Sequence, residues 1–166
     1  MAQLPATPAD GNVYTGIVAT IANAAAPTVT ELGTAVDISC YLTSDGFSPS
    51  LSEQTIADER LCSTATYEQP GRYQRSLDVI YIDNSNTEDA NEARETLVPG
   101  EAMFLVVRRG KAFDAPIEDE DEVSVWPIKP GQYSELPPEA NSVLKTAQKL
   151  FVTGEVEVGV KVTDGS

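Results

Sequence analysis

The stretch Leu77–Phe113 decides the fold. It opens with Leu-Asp-Val-Ile-Tyr-Ile-Asp and closes with Ala-Met-Phe-Leu-Val-Val-Arg-Arg-Gly-Lys-Ala-Phe. Its first part, Leu77 to Ile82, is dense in β-branched and aromatic residues, which favour strands. Its last part contains the uninterrupted apolar run Met103 to Val107, and such a run closed by a turn predicts a strand buried on both faces. We therefore predict a strand, a short helix and a core strand at the centre of the chain.

The segment between these two strands has the composition of a helix over residues 87–97. Ala90, Ala93 and Leu97 are spaced to form a narrow apolar stripe on one side of that helix. The polar residue at position 86 or 87 can cap its first turn. A helix this short is marginal alone, so we expect it to pack on a sheet.

The first forty residues predict an arm, a strand, one helical turn and a second strand. The Pro- and Ala-rich segment Met1–Gly11 is expected to be a flexible arm before a single β-rich domain over residues 12–166. Val13–Ile21 is β-branched and predicts the first strand. Thr28 and Glu31 have the spacing of a capping box and predict a helix of about one turn. Val36–Leu42 alternates loosely and predicts another strand.

A long excursion separates these early strands from the strand at Leu77. Ser44–Gln54 is rich in Ser and predicts a loop. Ile56–Gln74 contains the strand-like segment Leu61–Tyr67 and the turn signal Gln69-Pro70-Gly71, so it is an extended hairpin or an irregular loop. A long ordered loop in a compact domain usually has a function, although a simple surface insertion explains the sequence equally well.

The last third of the chain predicts three strands. Val123–Pro130 alternates apolar and polar residues, and Pro127 places that strand at an edge or ends its pairing. Val143–Val152 fits a helical period, but its join to a strong strand across Thr153-Gly154 favours a hairpin. Val156–Val162 alternates cleanly and predicts a half-buried strand. With roughly seven to nine strands and one real helix, we predict a mainly β fold: two packed β-sheets, as a sandwich or distorted barrel, with one flanking α-helix.

Charge separates this chain from nucleic-acid-binding and membrane-binding proteins. Its 26 acidic and 11 basic residues give a formal charge of −15, and no Lys or Arg precedes Arg60. Such a chain repels nucleic acid and anionic membranes. The apolar patch Val13–Ala26 lacks a basic n-region and is too short to span a bilayer, so we expect no signal peptide, no membrane insertion and synthesis in the cytoplasm.

The sequence carries no catalytic or metal-binding motif. It has no histidine, which removes the commonest general base and metal ligand. The acidic run Glu118–Glu122 is expected to be a solvated loop, and Trp126 a core or interface residue. Cys40 and Cys62 are too far apart for a redox or zinc motif; buried free thiols are the preferred interpretation, and a disulfide stays open. We expect no enzyme and no cofactor.

Several stretches together resemble the major tail (tail tube) proteins of long-tailed bacteriophages, particularly those of actinobacterial siphophages. The resemblance covers nearly the whole chain and is a pattern of weak signatures without a single diagnostic motif. The segments that carry it are Ala26–Ser39, Asp45-Gly46-Phe47, Arg60-Leu61-Cys62, Leu77–Asp83, Leu97–Gly100, Leu105–Gly110 and the Val152–Val156 hairpin.

The resemblance implies a virion structural subunit that assembles, in the host cytoplasm, into six-fold rings stacked as a hollow tube. Its partners are then copies of itself, the tape-measure protein and other tail proteins. DNA passes through such a tube during genome ejection without specific binding, and an acidic lumen suits that passage because each phosphate contact would add friction. We hypothesise that Glu155, Glu157 and Lys161 face the lumen; an ordinary solvated face is the alternative.

In such tubes a long loop between early strands reaches an adjacent subunit or ring. Here the matching excursion is Ser44–Gln74, and its candidate contact residues are Phe47, Leu51, Arg60, Tyr67, Arg72 and Tyr73. A capsid decoration protein or a head–tail connector would share the acidity and the β-rich composition. A cytosolic binding module or a carboxylate-based hydrolase is the alternative from a different class, and it would need a pocket with convergent acids that the sequence does not show.

Overall fold

A computed structural model describes residues 3–84 and 91–165 and shows a mainly β chain, as the sequence predicts. Nine strands and two short helices lie in these ranges. In chain order they are β1 Val13–Val18, α1 Val29–Gly33, β2 Val36–Asp37, β3 Leu42–Asp58, β4 Tyr67–Ile82, α2 Glu92–Thr96, β5 Met103–Arg109, β6 Glu122–Pro130, β7 Ser134–Glu135, β8 Lys145–Val152 and β9 Glu157–Lys161.

All nine strands belong to one antiparallel sheet with the order β2-β1-β5-β6-β8-β4-β3, in which β7 pairs with β8 and β9 with β6. The two sheets expected from the sequence are therefore one sheet that curls over its core. Its two ends are linked through residues 38–41, where Ile38 N–H donates to the Thr15 carbonyl (3.0 Å) and Ile82 N–H donates to the Tyr41 carbonyl (2.8 Å). These are single bonds rather than a ladder, and the sheet is not a closed barrel.

The main core lies on the concave face of the sheet and contains both segments that decide the fold. α2 closes one end of this core, because Ala93 and Leu97 are fully buried in it, as the predicted stripe requires. Ala90 and the proposed cap at 86 or 87 lie outside the described residues. The buried members of this cluster are Ile17, Ile38, Leu77, Val79, Tyr81, Ala93, Leu97, Met103, Leu105, Val107, Trp126, Ile128 and Leu150.

A buried polar network fastens α2 to the sheet. The Gln148 side-chain amide donates to the carbonyls of Leu97 (3.0 Å) and Gly131 (2.8 Å), while its oxygen accepts from the Tyr81 hydroxyl (3.0 Å). Arg94, on α2, pairs with Asp83 at the end of β4. Both polar atoms of the Gln148 side chain therefore have hydrogen-bond partners, which buried polar atoms require.

α1 covers the convex face of the sheet and contributes Leu32 to a second apolar cluster with Val106 and Val123. The predicted capping box is confirmed. The Thr28 hydroxyl accepts from Glu31 N–H (3.1 Å), and the Glu31 carboxylate accepts from Thr28 N–H (3.1 Å). Hydrogen bonds from the backbone N–H groups of Ala22 and Thr28 lower the pKa of Glu31. This short helix is thus held by its cap and by one buried leucine.

The predicted strand at Val143–Val152 is confirmed in β8, but the predicted hairpin to β9 is wrong. β8 and β9 lie one after the other along the same side of β6, where Ile128 faces Val152 and Val125 faces Glu157. The edge position predicted from Pro127 is also wrong, because β5 pairs with the opposite side of β6. Pro127 has no N–H to donate, and the ladder is interrupted opposite it, at residues 153–156.

The alternation predicted for the last strand is interrupted as well. Val162 is buried, but Val158 is 59% exposed. Gly159 has φ +70, a left-handed conformation that glycine adopts without strain. The register of β9 against β6 shifts between Val123 and Val125. The irregularity turns Val158 out of the core.

The acidic run is not entirely a solvated loop, because Asp121 is buried. Its carboxylate accepts from Lys111 (2.5 Å), from Arg108 (3.5 Å) and from Glu118 N–H (3.0 Å). Burial alone would raise the pKa of Asp121, but the hydrogen bonds from Lys111 and Glu118 and the positive charges of Lys111 and Arg108 lower it. Arg108 also donates to three loop carbonyls. The pair of Arg108 and Asp121, which we call the clip, therefore holds residues 110–121 against the sheet.

Candidate assembly surfaces

The excursion between the early strands is a β-hairpin arm. β3 and β4 pair from Leu42 and Tyr81 out to Asp58 and Tyr67, so Ser44–Gln54 is strand and its assignment as a loop is wrong. The hairpin reading of residues 56–74 is correct, but the turn lies at residues 59–66 rather than at Gln69-Pro70-Gly71. We define the arm as residues 50–76.

The arm leaves the body where β4 loses its second neighbour. β8 pairs with β4 only from Leu77 to Ile82. Beyond that point β3 and β4 form a two-stranded ribbon that extends about 30 Å, at roughly 3.3 Å per residue over the β3 residues 50–58. Leu77 is fully buried, whereas Tyr73 is 58% exposed. A two-stranded ribbon is marginal in water by itself, so the arm has few contacts within its own chain to stabilise it.

A bulge bends the arm near its middle and explains the misplaced turn. Glu53 faces Tyr73 but Thr55 faces Pro70, so two residues of β4 oppose Gln54 alone. A Cβ on Gly71 would lie 3.0 Å from the Gln54 carbonyl oxygen, which favours glycine there. Proline is tolerated because each strand of a two-stranded ribbon is an edge. The signal that predicted a turn is therefore a bulge.

Five of the six predicted contact residues lie on this arm, and the sixth precedes it on β3. Phe47 lies at the root and packs partly against the core. Arg60 is in the tip and pairs with Asp58 (3.0 Å). The others, Leu51, Tyr67, Arg72 and Tyr73, are exposed side chains of the ribbon.

Apolar exposure and charge balance distinguish the arm from the body. Its large exposed apolar side chains are Leu51 (47%), Ile56 (53%), Leu61 (108%), Tyr67 (64%) and Tyr73 (58%). Residues 50–76 hold four acidic and three basic side chains, in a chain of net charge −15. A nearly neutral ribbon can approach an acidic neighbour without the repulsion that the rest of the surface would meet.

The three predicted lumen residues do not form one regular strand face. Glu157 and Lys161 lie in β9, opposite Val125 and Glu122 of β6. Glu155 lies in the interruption before β9, where it lines a surface cleft of about 360 Å³ together with Tyr73 of the arm. Glu155 and Lys161 are exposed, and Glu157 is partly exposed.

The end of the core opposite α2 opens into a groove at the arm root. The groove has a volume of about 240 Å³. On one side it is bounded by β3 and β4 at the base of the arm, which we call the arm root. On the other side it is bounded by β5, β6 and β9. Sequence reasoning missed this groove, because its residues come from distant segments and only their packing brings them together. The residues that matter below are Phe47, Leu51, Arg75, Arg109, Trp126 and Val158.

The two cysteines are free, and both are exposed, so their expected burial is wrong. Cys40 lies in the connection that links the two ends of the sheet, and Cys62 lies in the arm tip. Within residues 3–84 and 91–165, no group of three or more acidic or cysteine side chains is placed to hold a metal ion. In the same ranges, no helix is long and apolar enough to cross a membrane.

The chain is thus an antiparallel sheet with a protruding arm that exposes apolar side chains. The chain belongs to the phage tail tube protein family, whose profile matches residues 1–165. This is a family of structural proteins and not of enzymes. The chain is accordingly a tail structural subunit of a phage virion, and its partners are copies of itself and other tail proteins.

The fold is also found in a solved structure of low sequence identity. A chain of the six-fold symmetrised cryo-EM structure of the anti-feeding prophage baseplate superposes with a TM-score of 0.55 at 12% identity, covering 99% of this chain and 100% of the other. At this identity the likeness shows the fold alone. No curated protein matches this sequence.

Proposed function

We propose that this subunit forms six-fold rings that stack into a tube through which the phage genome passes to the host. The arm is the observation that carries the proposal. It projects about 30 Å from the body at the usual strand rise, it exposes five large apolar side chains, and it is nearly neutral. The structurally similar chain comes from a baseplate structure that was six-fold symmetrised, which supports a ring of six.

Stacked rings need a contact that repeats without closing on itself. An arm that binds a different surface of the next copy makes a heterologous contact, which generates rings when the rotation closes and filaments when it does not. A capsid decoration protein does not need such a projecting arm, and a head–tail connector would stop at a single ring.

The charge of the chain suits a conduit for DNA. A wall with net negative charge repels the polyanion and offers few phosphate contacts, so the genome slides without specific binding. Glu155, Glu157 and Lys161 remain our proposed lumen residues. Their exposure on the segment that runs along β6 supports this assignment.

The tube is tested by concentrating the purified protein and examining it by negative-stain electron microscopy. We expect uniform hollow tubes or six-fold rings that stack. Single rings that never stack would favour the connector, and a persistent monomer would contradict assembly through the arm.

The lumen is tested in virions that carry Glu155→Lys together with Glu157→Lys. We expect normal tails and slower genome ejection, because a basic wall attracts phosphate. Glu139→Lys, at an exposed acid in a loop far along the chain from these residues, is the matched control and should leave ejection unchanged. Equal ejection rates for both variants would contradict the lumen assignment.

A further inference from the structure

We propose that the tip of one subunit's arm inserts Leu61 into the groove at the arm root of a second copy, with Phe47, Leu51, Trp126 and Val158 as the receiving surface. This inference rests on the proposed self-assembly and names the two surfaces that meet. It assigns the contact to one leucine and one groove, neither of which the sequence pattern identifies.

The first surface of this contact is the side chain of Leu61, which we call the knob. Leu61 is 108% exposed relative to the reference state, so its side chain is fully accessible to solvent. It lies in the turn at the far end of the arm, between Arg60 and Cys62. A single exposed leucine is common, but one held at the end of a long ribbon is placed to enter a neighbour.

The groove is the complementary apolar surface. Trp126 and Val107 belong to the core but lie at its open end, and Val158 (59%) and Leu51 (47%) are exposed beside them. At the opposite end, Ala93 of α2 and Leu97 directly after this helix are buried and close the core. In the described part of the chain, no side chain closes the core in this way at the groove. An apolar side chain from another molecule therefore completes the core there.

Charge complementarity selects a second copy as the occupant. Arg75 and Arg109 flank the groove, and neither makes an ion pair within the described residues. Glu59 lies two residues before Leu61 and is likewise without an ion pair in those ranges, whereas Arg60 between them pairs with Asp58. Because Asp58 balances the charge of Arg60, Glu59 is the acid of the tip that can meet these two arginines, in a chain that has few basic residues.

The contact cannot form within one chain. The tip is separated from the base of the arm by most of the ladder over the β3 residues 50–58, about 30 Å at the usual strand rise, and the ribbon would have to break to fold back. Knob and groove are different surfaces of the same molecule, so the contact between copies is heterologous and propagates.

Cys62 is adjacent to the knob and provides the test. In the full-length chain with Cys40→Ser and Val158→Cys, we expect diamide, a thiol oxidant, to link Cys62 of one copy to the introduced thiol of the next. Non-reducing electrophoresis should then show a ladder of dimers, trimers and higher multiples. The matched controls add Cys62→Ser to this variant, or replace Val158→Cys by Leu144→Cys at another exposed residue, and neither should give a ladder.

The outcomes distinguish this inference from the proposed function. Tubes without a ladder for the Val158→Cys variant would overturn the inference alone, and the groove would then be covered by the N-terminal segment or by another tail protein. The absence of any association would overturn both. As a second measurement, Leu61→Asp should raise the concentration needed for tubes about tenfold or more, since a buried leucine is lost. Leu144→Asp should leave that concentration unchanged, and equal effects of the two would contradict the proposal.

Discussion

The body and the arm are built from the same two strands but are stabilised differently. In the body, β3 and β4 join a curled sheet, and Leu77, Val79 and Tyr81 are fully buried. In the arm the same strands have only each other, and Tyr67 and Tyr73 are more than half exposed. The body therefore has its own core, whereas the arm has apolar side chains that only another molecule can bury. We assign fold stability to the body and propose assembly as the role of the arm.

The largest effect is expected from truncating a buried leucine of the body, with truncation of an exposed leucine of the arm as the comparison. Leu77→Ala should lower the free energy of unfolding of the unassembled subunit by about 2–5 kcal/mol, because it leaves a cavity in the core. Leu51→Ala, two residue pairs away on the arm, should change it by less than about 0.5 kcal/mol. Denaturant titration measures both. Similar losses for the two variants would mean that the arm shares the core of the body.

A smaller effect, dependent on pH, is expected at the clip on the body. The folded pKa of Asp121 lies below its ordinary value of 3.8, so its stabilising contribution is present above pH 3.8 and is lost as the pH falls through the folded pKa. Asp121→Asn should cost about 1–3 kcal/mol at pH 7, and the difference from the natural chain should shrink below pH 3.8.

The matched control for the clip is Asp119→Asn, an exposed acid in the same run. It should leave stability unchanged at both pH values, as thermal unfolding would show. A loss for Asp121→Asn that stays constant down to acid pH would contradict the role given to its charge.

The smallest effect is expected at the cap of α1. Thr28→Ala removes the hydroxyl that accepts from Glu31 N–H and should cost about 1 kcal/mol. Thr30→Ala, an exposed threonine inside the same helix, should be neutral or slightly stabilising. Both belong to the body, so neither should alter assembly at a temperature where the chain is folded; a change in assembly for Thr28→Ala alone would weaken the separation of the two regions.

The sequence predicts the body better than the arm, and the reason is burial. β5 and the inner half of β4 are apolar because the core requires it, and the capping box has a local pattern. The Ser-rich outer half of β3 has no buried face, so it lacks the alternation that identifies strands. Pro70-Gly71 indicated a turn because the same residues suit both a turn and a bulge.

Pairing between strands that are distant in the sequence set the other limit on what could be predicted. The join at Thr153-Gly154 has the local pattern of a hairpin, but β8 and β9 both pair with β6, which no local pattern encodes. The same holds for the candidate site. The sequence locates the excursion, whose role as a contact region stays a prediction, whereas the groove is formed by residues as distant as Leu51 and Val158. The sequence thus predicts which segment projects from the body, and only the structure shows the surface that can receive it.

The central claim is that the body folds by itself and the arm joins subunits. It is tested most directly by replacing residues 53–73 with Asn-Gly, which joins the paired residues Ser52 and Gln74 by a two-residue turn. We predict a monomer that unfolds cooperatively within a few degrees of the natural subunit and forms no tubes in electron micrographs at any concentration reached. Tubes formed by the shortened chain, or a body that no longer folds, would contradict the claim.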